Sequence, residues 1–175
     1  TGLEVVPEES PVGESQRNGR VERAVRTVKG QIRTMKEALG SRYEDRIPGH
    51  HPVLSWVPGH AAASVVRYNV GKDGRTAHER WKGKKFKKEV AEFGECVWFL
   101  KPRSRGATGM AGRWSEGIWL GIREESGEVM IGTKDGVMKA RTIRRKSSQG
   151  QRWNRTKLDE VMATPWNVGR DVQRD

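Results

Sequence analysis

The stretch from residue 16 to residue 39 reads QRNGRVERAVRTVKGQIRTMKEAL. Its apolar residues recur at alternating four- and three-residue steps, at Val21, Val25, Val28, Ile32, Met35 and Leu39. This spacing places them on one stripe of an α-helix, so the sequence predicts a helix from Gln16 to Leu39 with a buried apolar face. Gly40 follows directly and predicts the end of that helix.

Two further helical patterns follow along the chain. The first runs from Val53 to Tyr68, where Pro58 and Gly59 predict a kink, or a short lead-in before a helix that starts near Gly59. The second is short and runs from Thr76 to Trp81. A lysine-rich segment comes next and reads as a basic linker.

Beyond the linker the periodicity changes from helical to alternating. Short apolar runs, separated by Gly and charged turn residues, occupy 91–100, 117–122, 129–132 and 137–143. Strands at this spacing predict a small antiparallel barrel or curled sheet. The tail after Arg144 is polar and basic, which predicts disorder, or at most docking through a few anchors. Those anchors would be Trp153, Leu158 and Trp166.

The composition excludes several classes of protein. The chain has 175 residues, of which 34% are apolar, so it allows one or two small domains with a modest core. Cys96 is the single cysteine, which excludes an internal disulfide and favours a reducing compartment. No apolar run approaches the ~20 residues of a membrane span. We therefore expect a soluble intracellular protein.

The formal net charge is +12, and the excess of bases is concentrated in three segments. Residues 15–39 contain seven bases and two acids, residues 81–105 eight and three, and residues 141–175 nine and four. Each Lys or Arg that neutralises a phosphate releases condensed counterions, so clustered bases favour a nucleic-acid partner. A solvated basic surface without a specific partner is the alternative for any one segment.

Glu22 is the residue with the strongest indication of a chemical role. It lies one position from the apolar stripe, with Arg26 and Lys29 at i+4 and i+7 on the same helix face. That arrangement suits a carboxylate that holds a divalent cation while neighbouring bases bind phosphates. The alternative is a surface ion pair between Glu22 and Arg26, worth on the order of a few tenths of a kcal/mol.

Aromatic residues in the strand region allow two interpretations. Trp98, Trp114 and Trp119 could stack on bases beside Lys101 and Arg103, as in proteins that bind single strands. They could equally form the core of the barrel, which is the interpretation we favour.

The run from Ser10 to Arg23 resembles the end of the catalytic core in retroviral and LTR-retrotransposon integrases. In that family a polar, glycine-containing loop leads into a helix that bears the third carboxylate of an Asp, Asp, Glu metal site. Further similarities to copia-type elements lie at Trp56, Asn69, residues 74–85, Phe93-Gly94 and residues 117–121. The resemblance therefore extends over roughly residues 8–145.

The resemblance implies an RNase H-like core in which three carboxylates hold two Mg²⁺ or Mn²⁺ ions for in-line attack on a phosphodiester. At the matching positions Glu22 is the catalytic, metal-binding glutamate, and Asn18 is the polar loop residue next to the reacting DNA end. The basic residues expected to bind DNA, on the same helix and in the linker, are Arg20, Arg23, Arg26, Lys29, Arg33, Lys84, Lys85, Lys87 and Lys88.

On this basis we expect an α+β fold in four parts. Residues 1–82 would form the helical edge of the RNase H-like core, and residues 83–90 the basic linker. Residues 91–145 would form an SH3-like β-barrel, and residues 146–175 a basic, partly disordered tail. The resemblance also implies DNA as partner, a homo-oligomer in the complete enzyme, and a nuclear location, with a cytoplasmic one as the alternative.

The chain also departs from the family. Only 21 residues precede Glu22, whereas the family places both aspartates and the central sheet far upstream. Ala77 and His78 stand where the family has proline and an aromatic residue. We therefore expect the C-terminal half of a split or decayed integrase, which binds no metal and is inactive by itself. The alternative is a stand-alone nucleic-acid or chromatin-binding module without catalysis.

Overall fold

The computed structural model describes residues 15–88, 90–101 and 112–168. Its helices are α1 (Ser15–Tyr43), a 3₁₀ helix (Pro52–Trp56), α2 (Val57–Tyr68), α3 (Ala77–Lys82), α4 (Gln149–Arg152) and α5 (Arg155–Asp159). Its strands are β1 (Cys96–Leu100), β2 (Trp114–Ile122), β3 (Val129–Thr133), β4 (Gly136–Ala140) and β5 (Ile143–Arg145). The predicted α+β class, with long helices before an antiparallel sheet, is confirmed. Arg103 and the acidic stretch 1–14 lie outside the described residues.

Helix α1 is longer than predicted at its C-terminal end. It continues through Gly40 because Tyr43 is buried and its hydroxyl donates a hydrogen bond to the carbonyl of Gly94 at 2.7 Å. The helix ends where Glu44 adopts a positive φ of 51°. Contacts with the sheet therefore outweigh the preference of Gly40 to stop a helix. Asn18 lies inside α1, as the helix predicted from Gln16 requires, so the loop position that the resemblance implies for it is wrong.

The next two helices follow the sequence patterns. The 3₁₀ helix is the lead-in expected before Gly59, and α2 begins directly after it with Pro58 in the first turn. Proline is tolerated there because the first N–H groups of a helix have no intrahelical partner. Helix α3 begins with a capping box in which Thr76 and Glu79 exchange side-chain and backbone hydrogen bonds.

The five strands form an open antiparallel sheet in the order β4-β3-β2-β1-β5. Strand β2 pairs with both β1 and β3, and its register shifts between Trp119 and Gly121. Gly121 has a φ of 141° there, which glycine adopts without strain. The run 137–143 is expected to be one strand but forms two. Strand β4 pairs with β3 at one edge of the sheet, whereas β5 pairs with β1 at the opposite edge.

The sheet has a hydrophobic cluster on each face. One cluster joins residues from α1, α2, β1, β2 and the C-terminal segment, among them Leu39, Val57, Ile118 and Leu158. The other cluster is built mainly from strand residues, among them Trp119, and Phe86 packs against it. The expected boundaries at residues 83 and 91 therefore do not separate two cores, since helical and strand residues share the first cluster.

Residues 146–168 fold onto the core, so the expected disorder is wrong for this part of the tail. Leu158 and Val161 are fully buried, and the indole N–H of Trp56 donates to the carbonyl of Ala163 at 2.9 Å. Of the expected anchors, Leu158 and the partly buried Trp153 pack against the core, whereas Trp166 is exposed.

Candidate nucleic-acid interface

The first half of α1 is exposed, which corrects the expectation of one continuous buried stripe. The side chain of Val21 is 64% exposed, whereas that of Leu39 is 2% exposed. Of the stripe residues, Ile32 and those after it pack against the core, but Val21 and Val25 do not. Because α2 and the sheet cover only the second half of the helix, the first half is a free surface among the described residues.

Glu22 and its neighbours line one shallow groove on this free half of α1. The groove is lined by Val21, Glu22, Val25, Arg26, Lys29, Gly30 and Arg33. The spacing of i, i+4 and i+7 thus brings Glu22, Arg26 and Lys29 together, as the sequence predicts. Arg20 and Arg23 are exposed on the same part of the helix.

The cations on this half of α1 are not neutralised within the described chain. Six of these cations form no side-chain hydrogen bond or ion pair with residues 15–88, 90–101 and 112–168. They are Arg20, Arg23, Arg26, Lys29, Arg33 and Lys36. In the other described parts of the chain most arginines are paired, as Arg42 is with Glu92 at 2.9 Å and Arg155 with Asp45 at 2.8 Å. The surface pair between Glu22 and Arg26 is therefore not formed.

The residues around Glu22 do not fit a pair of divalent ions. The described ranges contain no group of three or more His, Cys, Asp or Glu side chains that could hold a metal ion. Glu22 is the single carboxylate among the residues that line its groove. Two Mg²⁺ ions require several oxygen ligands from the protein, which this groove does not supply.

The lysines of the linker are presented by an anchored segment. Phe86 packs between the guanidinium of Arg67, 4.6 Å from its ring centre, and the rings of Tyr68 and His78, which it meets edge-on. The anchored ring leaves exposed the side chains of Lys84, Lys85, Lys87 and Lys88. All four lysines line the hollow around Phe86, so they form a second cluster of positive charge.

Aromatic and cationic side chains also meet on the sheet. Trp119 is buried, as the core interpretation predicts, but Trp98 is 38% exposed and Trp114 is partly exposed. The ammonium of Lys146 lies 4.8 Å from the ring centre of Trp98, and the guanidinium of Arg144 lies 4.7 Å from that of Trp114. These cation–π contacts were not predicted, because they join residues from β1, β2 and the segment that starts at β5.

Sequence reasoning also missed Arg67, which holds α2 to the sheet. Its side chain is buried, donates to the carbonyl of Ile122 at 3.2 Å and forms an ion pair with Glu124. A buried arginine of this kind fixes the position of the linker through its contact with Phe86. The sequence gives no sign of it, since the partners lie more than 50 positions away.

An apolar cleft of about 320 Å³ lies between α1, α2 and residues 90–93, and His60 is in its wall. The imidazole stacks on Phe93 with 5.3 Å between ring centres and meets Trp119 edge-on at 5.0 Å. Burial, with a smaller contribution from the positive charge of Arg67, lowers the pKa of His60 to about 4. The imidazole is therefore neutral in the folded protein at pH 7.

We expect acid to destabilise the fold through His60. The pKa of His60 is about 4 in the folded protein, whereas the ordinary value for histidine is 6.5. Between these two pH values the unfolded chain therefore binds more protons than the folded protein does. The free energy of unfolding should decrease by about 2 to 3 kcal/mol as the pH falls from 7 to 4. Urea unfolding at several pH values measures this decrease.

The variant His60→Phe keeps an aromatic ring in the cleft and should remove most of that pH dependence. A smaller dependence should persist because burial also lowers the pKa of His51. Exposed His50→Gln is the matched control and should behave as the parent protein does. Identical pH slopes in the parent, His60→Phe and His50→Gln proteins would show that His60 is not the responsible group.

Comparisons with family models, curated proteins and solved structures found no match for this chain. Among the described helices, none has the length and apolar character required to cross a membrane.

Proposed function

We propose that this chain is a nucleic-acid-binding part of an LTR-retrotransposon integrase. In this proposal the free half of α1 and the linker lysines bind the DNA backbone. The observation that carries DNA binding is the set of six exposed cations on α1 that have no partner within the described chain. Uncompensated positive charge on one helix attracts a polyanion, and phosphate contacts supply most of the affinity of such proteins.

The arrangement of the strands supports the SH3-like part of the proposal. In the order β5-β1-β2-β3-β4, strand β2 lies in the middle and pairs with β1 on one side and with β3 on the other, so a bend in β2 would curl the sheet towards a small barrel. Here β2 has nine residues, pairs on both sides and carries the irregularity at Trp119 and Gly121. An irregularity of this kind increases the local bend and twist of a strand.

Catalysis belongs, in this proposal, to a complete enzyme with further carboxylates. Glu22 would contribute one metal ligand there, and Arg26 and Lys29 would hold the DNA end beside it. The chain alone should not join DNA strands in the presence of Mg²⁺ or Mn²⁺. Strand joining by this chain that Glu22→Gln abolishes would contradict this statement.

A stand-alone nucleic-acid-binding module is the second candidate, and one observation favours it. Residues from α1, α2 and the sheet share a hydrophobic cluster, so these elements form one folded unit. A detached edge of a larger core would be expected to leave more of that cluster uncovered. The gene sequence upstream of the Thr1 codon distinguishes the candidates, because two aspartates in strand-like contexts would favour the integrase.

Binding of the chain to duplex DNA at several salt concentrations tests the shared part of both candidates. The logarithm of the association constant should fall linearly with the logarithm of the salt concentration, by about 0.9 for each phosphate neutralised. Glu22→Gln should leave the affinity nearly unchanged, because the Glu22 carboxylate is not one of the charged groups that neutralise phosphates. Absence of duplex binding at low salt would contradict the proposed function.

A further inference from the structure

We propose that the corner of the sheet around Trp98 and Trp114 binds single-stranded nucleic acid by stacking on unpaired bases. This inference rests on the proposed nucleic-acid binding and adds a second, chemically different surface to it. The free half of α1 offers cations without an aromatic ring, whereas this corner combines exposed aromatic rings with cations. We call it the tryptophan corner, and it comprises Trp98, Trp114, Arg144 and Lys146.

The strand register brings the two rings onto one face. Trp98 lies opposite Glu116 on β2 and opposite Arg144 on β5, and Leu100 lies opposite Trp114. Trp98 and Trp114 are thus diagonal neighbours on adjacent strands, roughly 7 to 8 Å apart along the sheet. Two bases of one strand can reach two rings at that separation.

The cations leave stacking surface available. Lys146 is nearly buried, and its ammonium, 4.8 Å from the centre of the Trp98 ring, is bound to Glu116 at 2.7 Å. Because Trp98 is nevertheless 38% exposed, part of its ring is open to solvent. Arg144 is exposed above Trp114, and a guanidinium plane is itself a surface on which bases stack.

Further exposed cations lie at the same end of the strands as the tryptophan corner. Lys101 donates its backbone N–H to the carbonyl of Arg113 at 3.0 Å, and Leu100 donates to the carbonyl of Thr142, next to Arg141. Because side chains alternate along a strand, those of Lys101, Arg113 and Arg141 start on the face opposite to the two rings. They raise the positive potential at the edge of the corner, whereas Arg144 and Lys146 are the cations that contact the rings. Glu116, the carboxylate on this face, is already neutralised by Lys146.

Stacking selects unpaired bases because paired bases in a duplex expose only their edges. Rings that merely attracted an anionic chain would not distinguish a nucleic acid from an acidic peptide. The tryptophan corner should therefore prefer a thymidine oligomer over both a duplex and polyglutamate.

The test uses the full chain and a thymidine oligomer of about 12 nucleotides, within the 4 to 16 that such surfaces cover. The double variant Trp98→Ala with Trp114→Ala should bind it about 30-fold or more weakly, because each stacked base contributes a factor of about 5 to 150. The double variant Trp81→Ala with Trp166→Ala removes two exposed tryptophans outside the sheet and should bind as the parent does. Equal affinity of both double variants would overturn the inference.

A fluorescence measurement keeps the test valid if the alanine variant unfolds. In Trp81→Phe with Trp166→Phe, the exposed and partly exposed indoles that remain among the described residues are those of Trp98, Trp114 and Trp153. The thymidine oligomer should quench the part of the emission that the further change Trp98→Tyr with Trp114→Phe removes. Trp98→Tyr with Trp114→Phe retains aromatic faces and should keep most of the affinity. Quenching or competition by polyglutamate as strong as that by the oligomer would overturn the inference in favour of an acidic protein segment.

The two proposals fail in different ways. Loss of oligomer binding in the Trp98 and Trp114 variants, with duplex binding within about twofold of the parent, supports both surfaces. An oligomer-binding chain that does not bind duplex DNA would overturn the role of α1 and leave the tryptophan corner intact. Duplex binding without any effect of the ring substitutions would overturn the tryptophan corner alone.

Discussion

Reversal of two charges on α1, Arg26→Glu together with Lys29→Glu, is expected to weaken duplex DNA binding by roughly 10- to 100-fold. Both residues line the Glu22 groove and have no ion-pair partner among the described residues. If each contacts one phosphate, the salt dependence should decrease by about two units of slope. Fluorescence anisotropy with a labelled duplex, repeated from low to moderate salt, measures both quantities.

The matched control reverses two exposed charges that lie on the sheet instead of on α1. Lys134 and Lys139 lie in the β3–β4 hairpin, and Lys134→Glu with Lys139→Glu changes the net charge by the same amount. Both double variants alter exposed side chains, so their free energies of unfolding should stay within about 0.5 kcal/mol of the parent. An equal loss of affinity in the control would mean that net charge, and not the α1 surface, determines binding.

The sequence predicted helices and strands well because their periodicity is local. It did not show which part of a periodic stripe would be covered. Val21 and Leu39 belong to the same stripe, yet one is exposed and the other buried. The difference depends on α2 and the sheet, which reach only the second half of α1. The functional interpretation changes accordingly, since the Glu22 groove lies on an uncovered surface.

Long-range contacts explain most of what the sequence did not reveal. The carboxylate of Glu95 is fully buried and accepts hydrogen bonds from Arg145 at 2.7 Å and 2.9 Å, across 50 positions of the chain. Leu158 and Val161 are among the few apolar residues of a polar tail, yet both are fully buried against the core. Neither feature produces a periodic pattern, so composition alone favoured a disordered tail.

The same limit applies to the tryptophans of the strands. The sequence favours the core for Trp98, Trp114 and Trp119 alike, because it does not show which face of each strand is covered. The strand register determines which residues surround each ring. It places Trp98 beside Arg144 and Glu116, and Trp119 beside Ile131. Trp98, expected in the core, is thus part of a candidate binding surface.

Trp119→Ala is expected to cause the largest loss of stability, about 4 kcal/mol. The side chain is 1% exposed, packs with the strand cluster, and meets His60 edge-on. Its backbone N–H and carbonyl also connect β2 to Glu95 and Gly94 at 2.8 Å and 3.0 Å. For a chain of this size such a loss should lower Tm by about 10 °C, measured by thermal and urea unfolding.

Trp119→Phe should cost much less, about 1 to 2 kcal/mol, although it also removes part of the indole. The indole N–H is buried and has no hydrogen-bond partner within the described ranges, so its removal leaves no acceptor unsatisfied. Exposed Trp166→Ala is the control and should stay within about 0.5 kcal/mol of the parent. If Trp119→Phe were as damaging as Trp119→Ala, the N–H would have to bond to an acceptor such as a buried water, because ring volume alone could not explain the result.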